Sequence, residues 1–327
     1  MADKPDGEHG HPSSTGPGSA LQGQPGAFRR RLDAGEFAIT AEIGPPRGAD
    51  TAPVVRKASS LRGWVDAVNI TDNQSAAVRL SSLAGSLAAL AAGVEPIMQV
   101  TCRDRNRIAL QSELLSASAL GVPNVVIMTG DHPRHGDHSD ATPVFDLNST
   151  QLLRVATEMR DLGRLMSGGE LKPAPSWFLG AVENPPGRAA EAVDGATYRL
   201  ASKIEAGAQF VQTQFVFDVP AFADWMARIR DLGLDERCYI LAGVGPIRSQ
   251  RALSHLATIP GVIIPEHVID RLAGVRSDQF RAEGEKLCAE IIAGLADVPG
   301  VAGVHVMAIG AESTIPAILQ QAGIPAR

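Results

Sequence analysis

The sequence predicts an α/β fold: a (β/α)8 TIM barrel with extra helices before its last strand and a disordered N-terminal tail. Three observations carry this expectation. Eight short apolar runs each end in polar residues or glycine and lead into helix-like stretches, and repeated strand-then-helix units imply a parallel sheet. The run Asn124-Val125-Val126-Ile127-Met128 is apolar without alternation, as a strand buried on both faces is. The 327 residues exceed the roughly 250 that one barrel requires, which leaves room for a tail over 1–26 and one barrel over 27–327.

The elements follow in order. Residues 1–26 are rich in Gly, Pro, Ser and His and offer no apolar face to offset the entropy of ordering. The first strand, Phe37 to Ile43, is closed by Gly44-Pro45-Pro46, because proline donates no ladder hydrogen bond, and a helix over about 50–62 follows. The second strand, Val65 to Thr71, precedes the loop Asp72-Asn73-Gln74-Ser75 and an Ala/Leu-rich helix to about Ala92. The third runs from Pro96 to Thr101, and the fourth from Asn124 to Gly130. The polar stretch His132 to Asn148 is long for a strand-helix connection, a length typical of lids and binding loops, and it is expected over the barrel mouth.

The fifth strand is read at Trp177 to Val182, the sixth at Gln209 to Gln214 and the seventh at Cys238 to Gly243. A ninth apolar run, Gly261 to Pro265, competes for the eighth place. Its proline followed by Glu266-His267-Val268-Ile269 fits a first helical turn better, so residues 249–297 are assigned to helices and the eighth strand to Gly303 to Ile309. Ser313 to Gln321 supplies the last helix.

Composition narrows the function. The chain is 44% hydrophobic and 20% charged, without an apolar run near the roughly 20 residues of a membrane span. A net charge of −6 provides no diffuse positive field for nucleic acid, so a small-molecule substrate is expected. Cys102, Cys238 and Cys288 are widely spaced and form no metal-binding pattern, which reads as reduced thiols in cytoplasm. The start of the chain lacks the basic and apolar segments of a secretory signal.

Polar residues at strand ends are the candidates for chemistry. Glu42, beside two prolines, would be partly desolvated and so suited to acid/base work, or it could instead form an ion pair with an arginine such as Arg47. Asp131 follows Thr129-Gly130, where glycine allows close backbone approach to a ligand; the alternative is an Asx turn. Asp131, His132, His135, Asp137 and His138 form either a loose metal cluster or a solvated loop, and their spacing fits no closed metal site, so no metal is assigned. Gln214, Gln99 and Thr71 could each bind a heterocycle or a neighbouring backbone group. Gly243-Val244-Gly245-Pro246 lacks the third glycine of a dinucleotide loop, and no nucleophile elbow is present.

Taken in order, these strand ends make the chain resemble the methylenetetrahydrofolate reductase family of flavin-carrying barrels over about residues 27–322. The most specific pieces are Ala41-Glu42-Ile43-Gly44-Pro45-Pro46-Arg47 and Lys203-Ile204-Glu205-Ala206-Gly207-Ala208 leading to Thr213-Gln214-Phe215-Val216-Phe217-Asp218. Val68-Asn69-Ile70-Thr71, Val100-Thr101-Cys102, Thr129-Gly130-Asp131 and the late Gly303-Val304-His305-Val306-Met307-Ala308 support it.

The resemblance implies an oxidoreductase of one-carbon metabolism that converts 5,10-methylenetetrahydrofolate to 5-methyltetrahydrofolate, or the reverse. Hydride would pass from NADH or NADPH through flavin N5. It implies that Glu42 protonates a pterin nitrogen, that Asp131 lies by flavin and pterin, and that Gln214 bonds the pterin. Thr71, Gln99, Thr101, Thr129, Gly130, Asp131, Ala181 and Lys203 would line the cofactor, FAD or alternatively FMN, with Lys203 as a phosphate partner. The sequence departs from the family at three places: Gln99 stands for a histidine, Thr129 for an arginine and Val182 for an aromatic residue. These bear on how tightly a flavin is held, and on which one.

Two rival readings stay open: a flavin-free folate-binding barrel for methyl transfer, and a subunit that docks onto a redox partner. Glu42, Asp131 and Gln214 together argue against a pure docking role. Homo-oligomer or partner subunit, electron donor and physiological direction are not encoded in any motif.

Overall fold

The structure, a computed structural model, describes residues 25–327. Residues 1–24 of the expected tail lie outside the described residues. Gly26 is already the N-cap of the first helix, α1, Ala27–Asp33.

Eight parallel strands close into a barrel in chain order: β1 Ala38–Ile43, β2 Ala67–Ile70, β3 Pro96–Thr101, β4 Asn124–Met128, β5 Phe178–Glu183, β6 Phe210–Phe215, β7 Tyr239–Val244 and β8 Val301–Val306. Closure comes from β1 pairing with β8, where Thr40 stands opposite His305. Around the barrel run α2 Ala52–Leu61, α3 Ser82–Ala91, α4 Arg107–Ala119, α5 Ser149–Leu162, α6 Ala190–Glu205, α7 Val219–Asp231, α8 Gln250–Leu256, α9 Glu266–Ala273, α10 Phe280–Ala296 and α11 Ile315–Gln321. The extra helices expected before the last strand are α8 to α10.

Every strand but the third differs from its expected bounds, most by one or two residues at an end. Asp66 was expected within the second strand, but its carboxylate accepts from the Ile39 backbone N–H at 2.7 Å and pairs with Arg31 at 2.5 Å and Arg327 at 2.6 Å, so β2 begins at Ala67, two residues later than expected. The last strand begins earlier and ends at Val306, with Met307 to Ile309 already in the turn before α11. The ninth apolar run does enter a helix, since Pro265 caps α9, but Ile263 first makes one parallel bridge to Val216.

One apolar layer fills the space between strands and helices, while a second occupies the barrel interior. The inner one comprises Ala38, Ala67, Ile97, Val126, Phe178, Phe210 and Leu241, with Phe28 and Leu32 of α1 inserted among them. Phe28 meets the Phe178 and Phe210 rings edge-on, at 5.8 and 5.3 Å between centroids. Phe210 needs the space beside Gly180, where an added Cβ would lie 2.4 Å from its ring. Burying a side chain such as Phe28 fully is worth about 1.5–3 kcal/mol, so α1 is a plug for the N-terminal end of the barrel. The opposite end carries the polar residues.

Candidate active site

Glu42 projects inward near the end of β1 with only 11% of its side chain exposed. Gln99 of β3 donates its Nε2 to Glu42 Oε2 at 3.2 Å, and Gln74, in the loop after β2, approaches Oε1 at 3.4 Å. His305 Nε2 stands 3.8 Å from Oε2. The alternative ion pair with Arg47 is not formed, because that guanidinium lies 3.4 Å from Asp137.

Beneath Glu42 the barrel holds a buried polar layer. Asn69 and Gln212 exchange amide hydrogen bonds of 2.6 and 3.0 Å, Gln212 Nε2 also donates to Thr40 Oγ1 at 3.0 Å, and Thr40 Oγ1 lies 3.0 Å from His305 Nδ1. Thr40 Oγ1 also donates to the Val304 carbonyl at 3.5 Å, and Gln212 Nε2 lies 3.4 Å from His305 Nδ1, so Nδ1 is held within the layer and Nε2 is the ring nitrogen that faces Glu42. The sequence reading assigned no role to Thr40, Asn69, Gln212 or Gln74, and none to His305 beyond its place in the last strand. A signal existed: Thr40/Glu42, Asn69/Thr71, Gln99/Thr101 and Gln212/Gln214 are polar pairs two residues apart in apolar strands, hence on one face.

Next to this layer the loops after β2 and β3 are tied together. Asp72 accepts from the Thr101 backbone N–H and Oγ1, both at 2.9 Å, and pairs with Arg105. Arg103 is buried; it holds Asp104 at 2.8 Å and donates to the Asn73 carbonyl at 3.2 Å. Burial opposes its charge, but the Asp104 hydrogen bond and the charges of Asp104, Asp72 and Asp131 outweigh it and hold the guanidinium pKa above its ordinary value. Thr71 is buried with its hydroxyl lacking a partner.

The Thr129-Gly130-Asp131 turn is open to solvent at Thr129 and Asp131, and Thr129 Oγ1 donates to Ser149 Oγ at 3.1 Å. Gly130 has φ +85° and packs on Thr101, where an added Cβ would come within 2.9 Å of the threonine Cβ. Gln214 is half-buried; its Oε1 accepts from the Phe215 backbone at 3.0 Å, which leaves the amide donors free.

On the far side of the barrel, Lys203 donates to Glu183 at 2.6 Å and to the Val182 carbonyl at 2.5 Å, and Arg199 adds a second contact to Glu183 at 3.0 Å. Ala181 packs in the outer apolar layer between strands and helices, whereas Val182 packs against the inner one. Glu42 and Gln99 are thus in direct contact, and Thr71 and Thr101 flank Asp72 along the chain and by hydrogen bond. Ala181 and Lys203 make their contacts elsewhere.

The His132–Asn148 segment crosses the loops after β1 and β2. Asp137 accepts from the Val78 backbone at 3.2 Å as well as pairing with Arg47, and Val144 donates to the Arg103 carbonyl at 2.9 Å. Among the described residues no three His, Cys, Asp or Glu side chains converge as a metal group, and no helix is long and apolar enough to cross a membrane. Cys102, Cys238 and Cys288 are free and buried; burial pushes the Cys102 and Cys288 thiols up to about 12 and raises Cys238 as well, so all three stay protonated.

Comparison with known proteins gives the family and the fold. The methylenetetrahydrofolate reductase family model matches residues 27–323. A probable methylenetetrahydrofolate reductase (NADPH) of Caenorhabditis elegans is 24% identical over 91% of this chain and 44% of its own length. The 5,10-methylenetetrahydrofolate reductase of Pectobacterium carotovorum is 23% identical over 75% of this chain and 76% of its own. Against the nematode and yeast relatives the chain spans less than half of their length. A solved Clostridium thermocellum protein, described as binding two copies of 5-methyl-5,6,7,8-tetrahydrofolic acid, shares the fold with a TM-score of 0.64 at 16% identity, over 89% of this chain and 97% of its own. By its match along nearly the whole barrel, the chain belongs to the methylenetetrahydrofolate reductase family.

Proposed function

We propose that this protein interconverts 5,10-methylenetetrahydrofolate and 5-methyltetrahydrofolate at the C-terminal mouth of its barrel, with FAD or FMN bound and NADH or NADPH as electron donor. The observation that carries the reading is Glu42: a mostly buried carboxyl group at the mouth, approached by the Gln74 and Gln99 amides and by His305, with Arg47 paired elsewhere. Family membership and the folate named for the Clostridium protein support it.

In the reductive direction Glu42 gives its proton to the pterin nitrogen as the carbon–nitrogen bond opens. The methylene carbon is left as an iminium that accepts hydride. The free Gln214 amide donates to the pterin edge, and Asp131 accepts from it. His305 Nε2 faces the carboxylate left on Glu42, and Thr40 keeps the imidazole in that orientation. The plug at the other end keeps water from entering beneath the polar layer.

A flavin ring fits the residues present. The Thr71 hydroxyl is buried and unpartnered, as a group awaiting a ligand would be, and Gly130 lets a ring approach the backbone. Thr71, Gln99 and Gly130 would hold it, and when bound it supplies hydride at N5. One observation favours a second reading, a folate-binding barrel without flavin: Lys203 and Arg103 are already neutralised, by Glu183 and by Asp104, so neither is an unpaired cation for a phosphate.

Two measurements on the purified chain test this. Titration with 5-methyltetrahydrofolate is expected to show saturable binding, and failure to bind would overturn the folate assignment. Absorbance in the flavin bands, before and after added FAD or FMN, separates the two readings: colourless protein that takes up neither cofactor sinks the first.

A further inference from the structure

Among the described residues the Gln74 amide is the one polar contact to Glu42 that comes from outside the strands, and nothing in the family resemblance gives it a role. It sits in an unusual backbone. Asn73, Ser75 and Ala76 all have positive φ, at 47°, 57° and 54°, conformations that L-residues other than asparagine rarely adopt. Such strain persists only where surrounding structure over-determines it.

Here the surroundings are explicit. Asn73 Oδ1 accepts from the Arg79 backbone at 3.0 Å, Arg79 reaches the Pro45 carbonyl at 3.2 Å, and Arg103 holds the Asn73 carbonyl. Leu80 donates to the Pro46 carbonyl at 2.9 Å, and Asp137 holds the Val78 N–H. Gln74 Oε1 packs over Gly44, leaving so little room that a Cβ there would lie 3.3 Å away. Contacts from three loops therefore fix a strained turn whose product is one amide aimed at Glu42.

We propose that Gln74 is a positioning residue for Glu42 in proton transfer, acting with Gln99. One amide donor addresses each carboxylate oxygen, so the plane of the carboxyl group is set from two sides. At 3.4 Å the Gln74 contact is long, which leaves Oε1 able to turn its proton to a substrate nitrogen. The inference rests on the reading of Glu42 as proton donor.

The test compares the full chain with its Gln74→Met and Gln74→Leu variants; the first keeps the length of the side chain and the second most of its volume, and neither keeps the donor. Steady-state reduction of methylenetetrahydrofolate is followed in H2O and D2O, alongside 5-methyltetrahydrofolate binding and thermal unfolding. For both variants kcat is expected to fall about tenfold with KM and product affinity within twofold, and the solvent isotope effect on kcat to rise. Unchanged kcat, or a loss confined to KM, in whichever variant keeps the wild-type unfolding midpoint would overturn the proposal. A Glu42→Gln control separates the two levels: if it is inactive while the Gln74 variants are normal, only this inference fails. If it retains wild-type kcat, the proton-donor reading fails and takes this inference with it.

Discussion

His305 Nε2 stands 3.8 Å from Glu42 Oε2 while its Nδ1 is held by Thr40 at 3.0 Å, so the imidazole bridges the carboxylate at the mouth and the buried polar layer beneath it. A ring held at one nitrogen and directed at a carboxyl group by the other fixes the place of that carboxyl group. Replacing His305 by Leu removes the partner of Thr40 and one neighbour of Gln212, and a buried polar group left unpaired costs about 1–3 kcal/mol. Denaturant unfolding should show a loss of that size, together with a fall in folate turnover.

The plug makes a second prediction. Phe28 is fully buried against Phe178 and Phe210, at the end of the barrel remote from Glu42. Phe28→Ala should cost about 3–5 kcal/mol. Folate affinity of the fraction that remains folded should stay within twofold. A melting curve combined with ligand titration checks both halves.

Lys203 offers a direct choice between structural and cofactor roles. Glu183 has 2% of its side chain exposed, and removing one partner of a buried pair costs about 3–5 kcal/mol, with the low end expected because Arg199 remains. Lys203→Met should therefore unfold at a markedly lower denaturant concentration. A normal midpoint with reduced flavin uptake would instead place its main role at a phosphate.

Acid should loosen the segment over the mouth only well below neutral pH. Hydrogen bonds from the Arg107 side chain, and then from its backbone N–H, hold the Asp146 carboxyl down to about 2, and the hydrogen bond from His138 holds Asp137 below its ordinary value. For an acid whose folded pKa is depressed, the stabilisation is complete above the unfolded pKa, here 3.8, and is lost as pH falls through the folded value. Carboxyl NMR titration should show Asp146 letting go of Arg107 only near pH 2, with the segment in place from pH 4 upward.

Much of the barrel could be read in advance because its strands are buried on both faces and announce themselves as apolar runs: β3 was read with the bounds it has, and the Gly261–Pro265 run was correctly passed over as the eighth strand. The α1 plug was not anticipated, since Ala27–Asp33 contains three arginines and only Phe28 and Leu32 buried, too short a pattern to stand out. At the mouth, the position of Glu42 followed from its strand end, but its partners did not. Arg47 is five residues away and pairs elsewhere, whereas Gln74, Gln99 and His305 come from three other parts of the chain. Lys203 entered as a phosphate partner through the family resemblance, and nothing local announced its contact with Glu183, twenty residues earlier.

The most direct test of Glu42 as proton donor is the Glu42→Gln variant, assayed in two halves. Glutamine keeps the size of the side chain but cannot give up a proton of comparable acidity. The account predicts that reduction of methylenetetrahydrofolate falls by about 10²–10⁴-fold, while 5-methyltetrahydrofolate still binds and acceptance of electrons from the nicotinamide donor persists. Folate reduction at the wild-type rate, or loss of both half-reactions together, would contradict it.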